Sequence, residues 1–193
     1  MDIRKAKKVL RQSISERLSR MTSYELAAES RSLCRRILEN LPPPPLTICG
    51  YYPLTTEADI RPLLEELLRR GDRVYLPSFT GNQLSFRECI DLKKMLPGTL
   101  NIPEPPMASS SPTPSQIQYV LTPGRAFDRE GFRLGRGNGG YDKWIAKQRE
   151  ANTATEYWGI ALECQIINEV PYEDHDQKMD RVVTARGSVS PEP

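Results

Sequence analysis

The chain has 193 residues, which suits one medium domain with a single sizeable core and at most an appended lobe. Its 27 basic and 25 acidic residues leave a formal net charge of +2, too small to mark a nucleic-acid partner. No apolar run reaches the length of about 18 residues that a membrane span needs, so no membrane contact is expected.

Residues 3–20 predict a helix with a strong basic bias, carried by Arg4, Lys5, Lys7, Lys8, Arg11, Arg17 and Arg20. Ile3, Val9, Leu10, Ile14 and Leu18 supply helical spacing on part of its surface. Taken alone, the basic residues read as a solvated face. An amphipathic mitochondrial presequence is the alternative, opposed by Asp2, Glu16 and direct continuation into a globular helix. The expected location is therefore the cytoplasm, with the mitochondrion as the second possibility. A further helix spans roughly 23–39, with Thr22 or Ser23 as N-cap and Leu26, Leu33, Ile37 and Leu38 facing inward.

Four prolines at 42–45 stop that helix and form a stiff connector. Residues 46–52 read as a buried strand ending at Pro53, residues 60–70 as a helix closed by Gly71, and residues 73–77 as the next strand. Strand, helix, strand argues for an α/β fold. We expect three α/β/α layers, a mostly parallel central sheet and the N-terminal helices packed on it. Ligands in such sheets gather beyond the carboxyl ends of the strands. Tyr52, Glu57 and the chain from Pro123 onward lie at such ends and are predicted to meet. Residues 84–88 suggest a short strand and 91–96 a helical turn, while 108–115, rich in Ser and Pro, read as a mobile surface loop.

The stretch from 122 to 144 is the least like ordinary scaffold. Tyr119, Val120 and Leu121 form an apolar run that enters the turn residues Pro123 and Gly124. Gly135, Gly137, Gly139 and Gly140 then crowd into six positions, and helical character resumes at Tyr141. Strand, glycine loop, helix presents backbone N–H groups and a helix N-terminus to an anion. Arg133 and Arg136 can each grip phosphate oxygens in pairs. Asp142, at the mouth of the loop, could hold a divalent cation that bridges phosphates. We read the loop as a nucleotide-phosphate site, against the plainer reading of a flexible turn with solvated arginines. It is no Walker loop, because neither Lys-Ser nor Lys-Thr follows the glycines. The spacing Gly135-x-Gly137-x-x-Gly140 fits a dinucleotide loop, but it lies late in the chain and no clear βαβ unit follows.

Residues 157–162 read as another strand, and the domain is expected to span 1–185, with 186–193 lacking fixed structure. Cys34, Cys49, Cys89 and Cys164 stand far apart without a Cys-x-x-Cys pair, which fits a reducing compartment rather than zinc or disulfides. One histidine argues against His-rich metal sites and most Ser-His-Asp chemistry.

The spaced set Pro123-Gly124, Phe127-Asp128, Gly131, Arg133-Leu134-Gly135, Gly137, Gly139 and Tyr141-Asp142 resembles the signature of the 5-formyltetrahydrofolate cyclo-ligase family, also called methenyltetrahydrofolate synthetases. The resemblance extends to Lys7 through Arg11, to residues 101–106 as a rigid wall by the cleft, and to Asp176 and Asp180 near the end. Two positions depart from the family pattern: Gly140 stands for the first Tyr of its Tyr-Tyr-Asp, and Ala185 for its Glu after Val-Thr.

The resemblance implies ATP- and Mg²⁺-dependent conversion of 5-formyltetrahydrofolate, with or without a polyglutamate tail, into 5,10-methenyltetrahydrofolate, ADP and phosphate, by a monomer. It implies an ATP site of Lys7, Arg11, Arg133, Leu134, Gly135, Arg136, Gly137, Asn138, Gly139, Gly140 and Tyr141, with Arg136 and Tyr141 catalytic. Tyr52 and Glu57 would contact the folate, where a carboxylate suits the paired N–H donors of the pterin. By itself Glu57 could equally be a first-turn acid on a helix dipole, and Tyr52 a core aromatic. Asp142 and Asp176 would hold magnesium, with His175 as a neighbour off the metal. Two alternatives stand beside this reading: a relative that binds ATP or folate without turnover, suggested by Gly140, and an RNA-binding or scaffold protein using the basic N-terminal helix.

Overall fold

A computed structural model describes residues 2–81, 83–98 and 101–191. Helix α1 (Ile3–Ser19) starts at Asp2, whose side chain accepts from the Arg4 N–H. Helix α2 (Ser23–Asn40) starts in a capping box, Thr22 accepting from Glu25 N–H while the Glu25 carboxylate accepts from Thr22 N–H. Strand β1 (Thr47–Cys49) follows the prolines. Helix α3 (Arg61–Arg70) has Pro62 in its first turn and ends at Gly71, whose φ of 90° is the left-handed conformation a glycine adopts freely. After β2 (Arg73–Thr80) and β3 (Gln83–Cys89) come two small pairs, β4 (Leu96–Pro97) with β5 (Pro103–Glu104), then, after β6 (Tyr119–Pro123), β7 (Ala126–Phe127) with β8 (Arg133–Leu134). Helix α4 (Gly140–Ala151), β9 (Glu156–Ile160), β10 (Arg181–Val183) and β11 (Ser188–Val189) complete the chain.

The main sheet runs β11-β10-β9-β6-β1-β2-β3. Its pairings from β10 through β2 are parallel, and antiparallel β11 and β3 close the two edges. Period-two alternation divides the side chains between two cores. Ile48, Leu76, Leu121 and Trp158 join Ile14, Leu33, Ile37, Leu63 and Leu67 on the face covered by α1–α3. Their neighbours in sequence, Cys49, Tyr75, Val120 and Tyr157, pack with Ile145 of α4 on the other face. The three expected α/β/α layers and the mostly parallel sheet are the observed architecture.

Three local expectations change. The strand read over 46–52 ends at Cys49, because the chain turns away to bury Tyr51, whose hydroxyl donates to Ala58 O at 3.1 Å. The run at 108–115 is anchored rather than loose: Glu88 N–H donates to Ser110 O at 2.8 Å, and Gln148 Nε2 donates to Pro114 O at 2.8 Å. The tail expected to lack structure from 186 pairs with the sheet, Val189 opposite Val182 and Ser188 opposite Val183. Thr184 N–H, donating to Gly187 O at 2.8 Å, closes that turn.

Candidate active site

A cavity of about 370 Å³ opens where β1, β2 and β6 end. Each strand end delivers part of its wall: Tyr51, Tyr52 and Glu57 after β1, Pro77 and Phe79 in β2, and Pro123 and Gly124 at the end of β6. Ile102 adds a side wall, α1 adds Arg4, Lys7 and Arg11, and the segment after β9 adds Glu173, His175 and Asp176.

The turn that leads into the glycine loop is anchored by a buried carboxylate. Buried Asp128 accepts from Glu130 and Phe132 N–H through Oδ1 and from Val170 N–H through Oδ2. Its carboxylate thereby joins the β7–β8 turn to the segment that leads to Asp176. A stacked pair strengthens the joint: the Phe132 and Tyr172 rings lie 3.7 Å apart at 10°. Gly137 has φ 104° and Gly139 φ 64°, a region that strains other residues. A Cβ on Gly137 would also sit 3.4 Å from the Arg11 guanidinium, whose Nε donates to Gly135 O at 2.9 Å.

Three cations of the cavity make four ion pairs. Lys7 Nζ lies 2.8 Å from Glu173 Oε2 and 2.5 Å from Asp176 Oδ2. Arg133 Nη2 lies 2.8 Å from Asp142 Oδ1, with both side chains largely out of water. Arg136 Nη2 lies 3.0 Å from Glu57 Oε1. Burial opposes the charge on Lys7, but its bonds to Asp176 and Glu173 outweigh that and raise its pKa. Burial likewise opposes the Asp176 charge, yet Lys7 and the Glu173 N–H hold its pKa below the usual carboxylate value. The Lys7 hydrogen bond lowers Glu173. Burial, then the nearby Glu57 charge, pushes the Tyr141 hydroxyl far above its ordinary range, so Tyr141 is a neutral O–H near neutral pH.

Tyr52, Glu57, Lys7, Arg11, Arg133, Leu134, Gly135, Arg136, Gly137, Asn138, Gly139, Tyr141, Asp142 and Asp176 therefore share one cavity. Gly140 does not line it. It borders a neighbouring recess with Thr80, Lys143 and Trp144, because the left-handed turn at Gly139 carries the chain out of the cleft into α4. Arg133, read as a phosphate ligand, lines the cavity and there donates through Nη2 to Asp142. Asp142 and Asp176 form no bond to each other, but Gln177 N–H reaches Asp142 Oδ1 at 3.3 Å and brings the two segments together. Sequence reasoning passed over Glu173, Arg4, Tyr51 and Phe79. Glu173, three positions before Asp176, was legible only as part of an acidic run, which ordinarily means a solvated face.

Asp142 Oδ2 and Asp176 Oδ1 accept none of the hydrogen bonds among the described residues, which leaves one hard-oxygen donor on each. A carboxylate oxygen on each is the donor type that magnesium takes alongside phosphate oxygens and water. Glu173, His175 and Asp176 also approach one another, their donor atoms within 4.8 Å.

A parallel sheet whose strand ends, glycine loop and charged side chains converge on one cavity has the layout of an α/β enzyme. The chain belongs to the 5-formyltetrahydrofolate cyclo-ligase family, whose model matches residues 3–185. It is 34% identical over 142 residues to the 5-formyltetrahydrofolate cyclo-ligase of Escherichia coli (strain K12), covering 72% of this chain and 77% of that one. The Mus musculus 5-formyltetrahydrofolate cyclo-ligase is 24% identical over 191 residues, with 94% of each chain covered. The 5,10-methenyltetrahydrofolate synthetase of Aquifex aeolicus superposes with a TM-score of 0.82 at 25% identity, covering 97% of this chain and 93% of that one. The family is one of ligases. Among the described residues no helix is long and apolar enough to cross a membrane.

Proposed function

We propose that the chain uses ATP and Mg²⁺ to convert 5-formyltetrahydrofolate into 5,10-methenyltetrahydrofolate, releasing ADP and phosphate. The observation that carries this reading is the single cavity in which α1, the glycine loop and the 173–176 segment bring cations against carboxylates. The formyl oxygen is a poor leaving group. Transfer of the terminal phosphoryl group to that oxygen turns it into phosphate, and N10 then closes the ring as phosphate departs. No protein nucleophile is required; catalysis consists of positioning and charge stabilisation.

Lys7, Arg11 and Arg136 anchor the triphosphate against the glycine-loop backbone. Arg133 acts one step back by fixing Asp142. Asp142 and Asp176 would hold Mg²⁺, which supplies charge neutralisation on the phosphoryl group. Glu57 accepts from the donors of the pterin beside Tyr52, and Tyr141 offers its neutral hydroxyl as a donor. Lys7 must exchange Asp176 and Glu173 for phosphate oxygens as the nucleotide enters. The test is stoichiometry: phosphate release should match 5-formyltetrahydrofolate consumed, and phosphate release that ignores the folate would contradict the coupling. A second reading, binding without turnover, rests on the recess beside Gly140, where the family pattern has a ring.

A further inference from the structure

Arg125 has no role in the reaction as described, and its surroundings are electrostatically incomplete. Its backbone is held at both ends: the N–H donates to Leu134 O at 2.7 Å, and the carbonyl accepts from Gln165 Nε2 at 3.3 Å. From this fixed base the half-buried side chain reaches the turn after β1, beside the cavity lining, where Nη1 donates at 3.2 Å to the exposed hydroxyl of Thr56, the neighbour of the lining residue Glu57. Both oxygens of Glu57 are taken, Oε1 by Arg136 and Oε2 by Leu54 N–H. Arg11 spends its Nε on the Gly135 carbonyl. Among the described residues neither Arg11 nor Arg125 has a carboxylate partner.

Three guanidiniums thus share one carboxylate. Burial lowers the Arg125 pKa, Arg136 and Arg11 add to the effect, and Glu57 only partly opposes it. Like charges gathered at a cavity edge with a deficit of anions form a receptor for an oxyanion, and guanidinium suits carboxylate and phosphate equally.

We propose that Arg125, with Arg136, forms an anion subsite at the Thr56–Glu57 edge of the cleft that binds an oxyanion group of a substrate. The group is a phosphate of the nucleotide, because the folate presents its pterin to Glu57 and carries its glutamyl carboxylates at the opposite end. This assignment rests on the proposed reaction for its substrates, so the experiment reads the subsite in two ways.

The first is steady-state kinetics on the full chain and on Arg125→Ala and Arg125→Lys, with thermal denaturation checking that each variant is folded. Arg125→Ala should raise the KM for ATP about tenfold with little change in kcat, and Arg125→Lys should recover part of the loss. If the affected substrate is 5-formyltetrahydrofolate instead, the phosphate subsite is overturned. Unchanged KM values for both overturn the subsite while leaving the reaction intact. The second is calorimetry with oligo-γ-glutamate and with tripolyphosphate, which needs no turnover. Tripolyphosphate should bind, and about tenfold more weakly to Arg125→Ala, while oligo-γ-glutamate should not. Arg125-dependent tripolyphosphate binding by a chain without turnover would sink the reaction and keep the subsite. Failure of tripolyphosphate to bind, or binding that ignores Arg125, overturns the subsite.

Discussion

Lys7 of the first helix and Asp176, 169 residues further on, are joined by a 2.5 Å hydrogen bond across the mouth of the cavity. The pair closes the ring of segments around the site, and Glu173 supports it at 2.8 Å. Lys7 is 8% exposed, so the basic helix points one of its charges into the molecule and not toward an external partner.

The pH dependence of this lock follows from its shifts. Asp176 has a folded pKa below 3.8, so its contribution is present above 3.8 and is lost as pH falls through the lowered value. Lys7 has a folded pKa above 10.5, so its contribution is present below 10.5 and is lost as pH rises through the raised value. Lys7→Met should lower the Tm at neutral pH, and its gap from the parent should shrink below pH 3.8. A gap independent of pH would show that Lys7 stabilises through its alkyl chain alone.

Asp142→Asn should lose turnover and stability together. The Arg133 side chain is 3% exposed, and removing its counter-charge leaves a buried cation, at a cost of about 3–5 kcal/mol. Replacing both residues with apolar ones of similar volume should recover stability in denaturant titration while activity stays absent. Recovery of activity would remove Asp142 from the site's chemistry.

Glu57→Gln should act on the folate side. A charge-assisted hydrogen bond is worth roughly 1.5–3 kcal/mol, so the KM for 5-formyltetrahydrofolate should rise about 10- to 100-fold. The KM for ATP should move much less. Equal effects on both substrates would mean that Glu57 serves mainly to hold Arg136.

Gly140→Tyr tests whether the missing ring limits activity. A Cβ there meets Phe79 Cε1 at 3.7 Å and Asn138 Oδ1 at 3.8 Å, both ordinary contacts. Restricting the unfolded chain should make the variant more stable by about 0.4–1 kcal/mol. If the parent binds without turning over, kcat should appear in this variant; if the parent is active, kcat should change little.

The fold was legible because its signals are local: the proline stop, the Gly71 cap and the apolar strands that set up a parallel sheet. The edge pairing of Ser188 and Val189 was not legible, since two exposed residues in a polar tail carry no strand pattern. At the site, the spaced motif identified which residues gather. It could not reveal that Arg133 faces Asp142, or that Arg136 faces Glu57 from 79 positions away. Those pairings depend on how the β7–β8 turn aims its side chains. Arg125 was passed over for the same reason, its meaning lying in the shared shortage of carboxylates around Glu57.

The central claim is tested most directly by mixing the purified chain with 5-formyltetrahydrofolate and Mg-ATP and following methenyltetrahydrofolate absorbance. The account predicts that the absorbance grows with repeated turnover, needs ATP, and stops when a chelator removes the magnesium. No absorbance change from a folded chain that binds both substrates would contradict it.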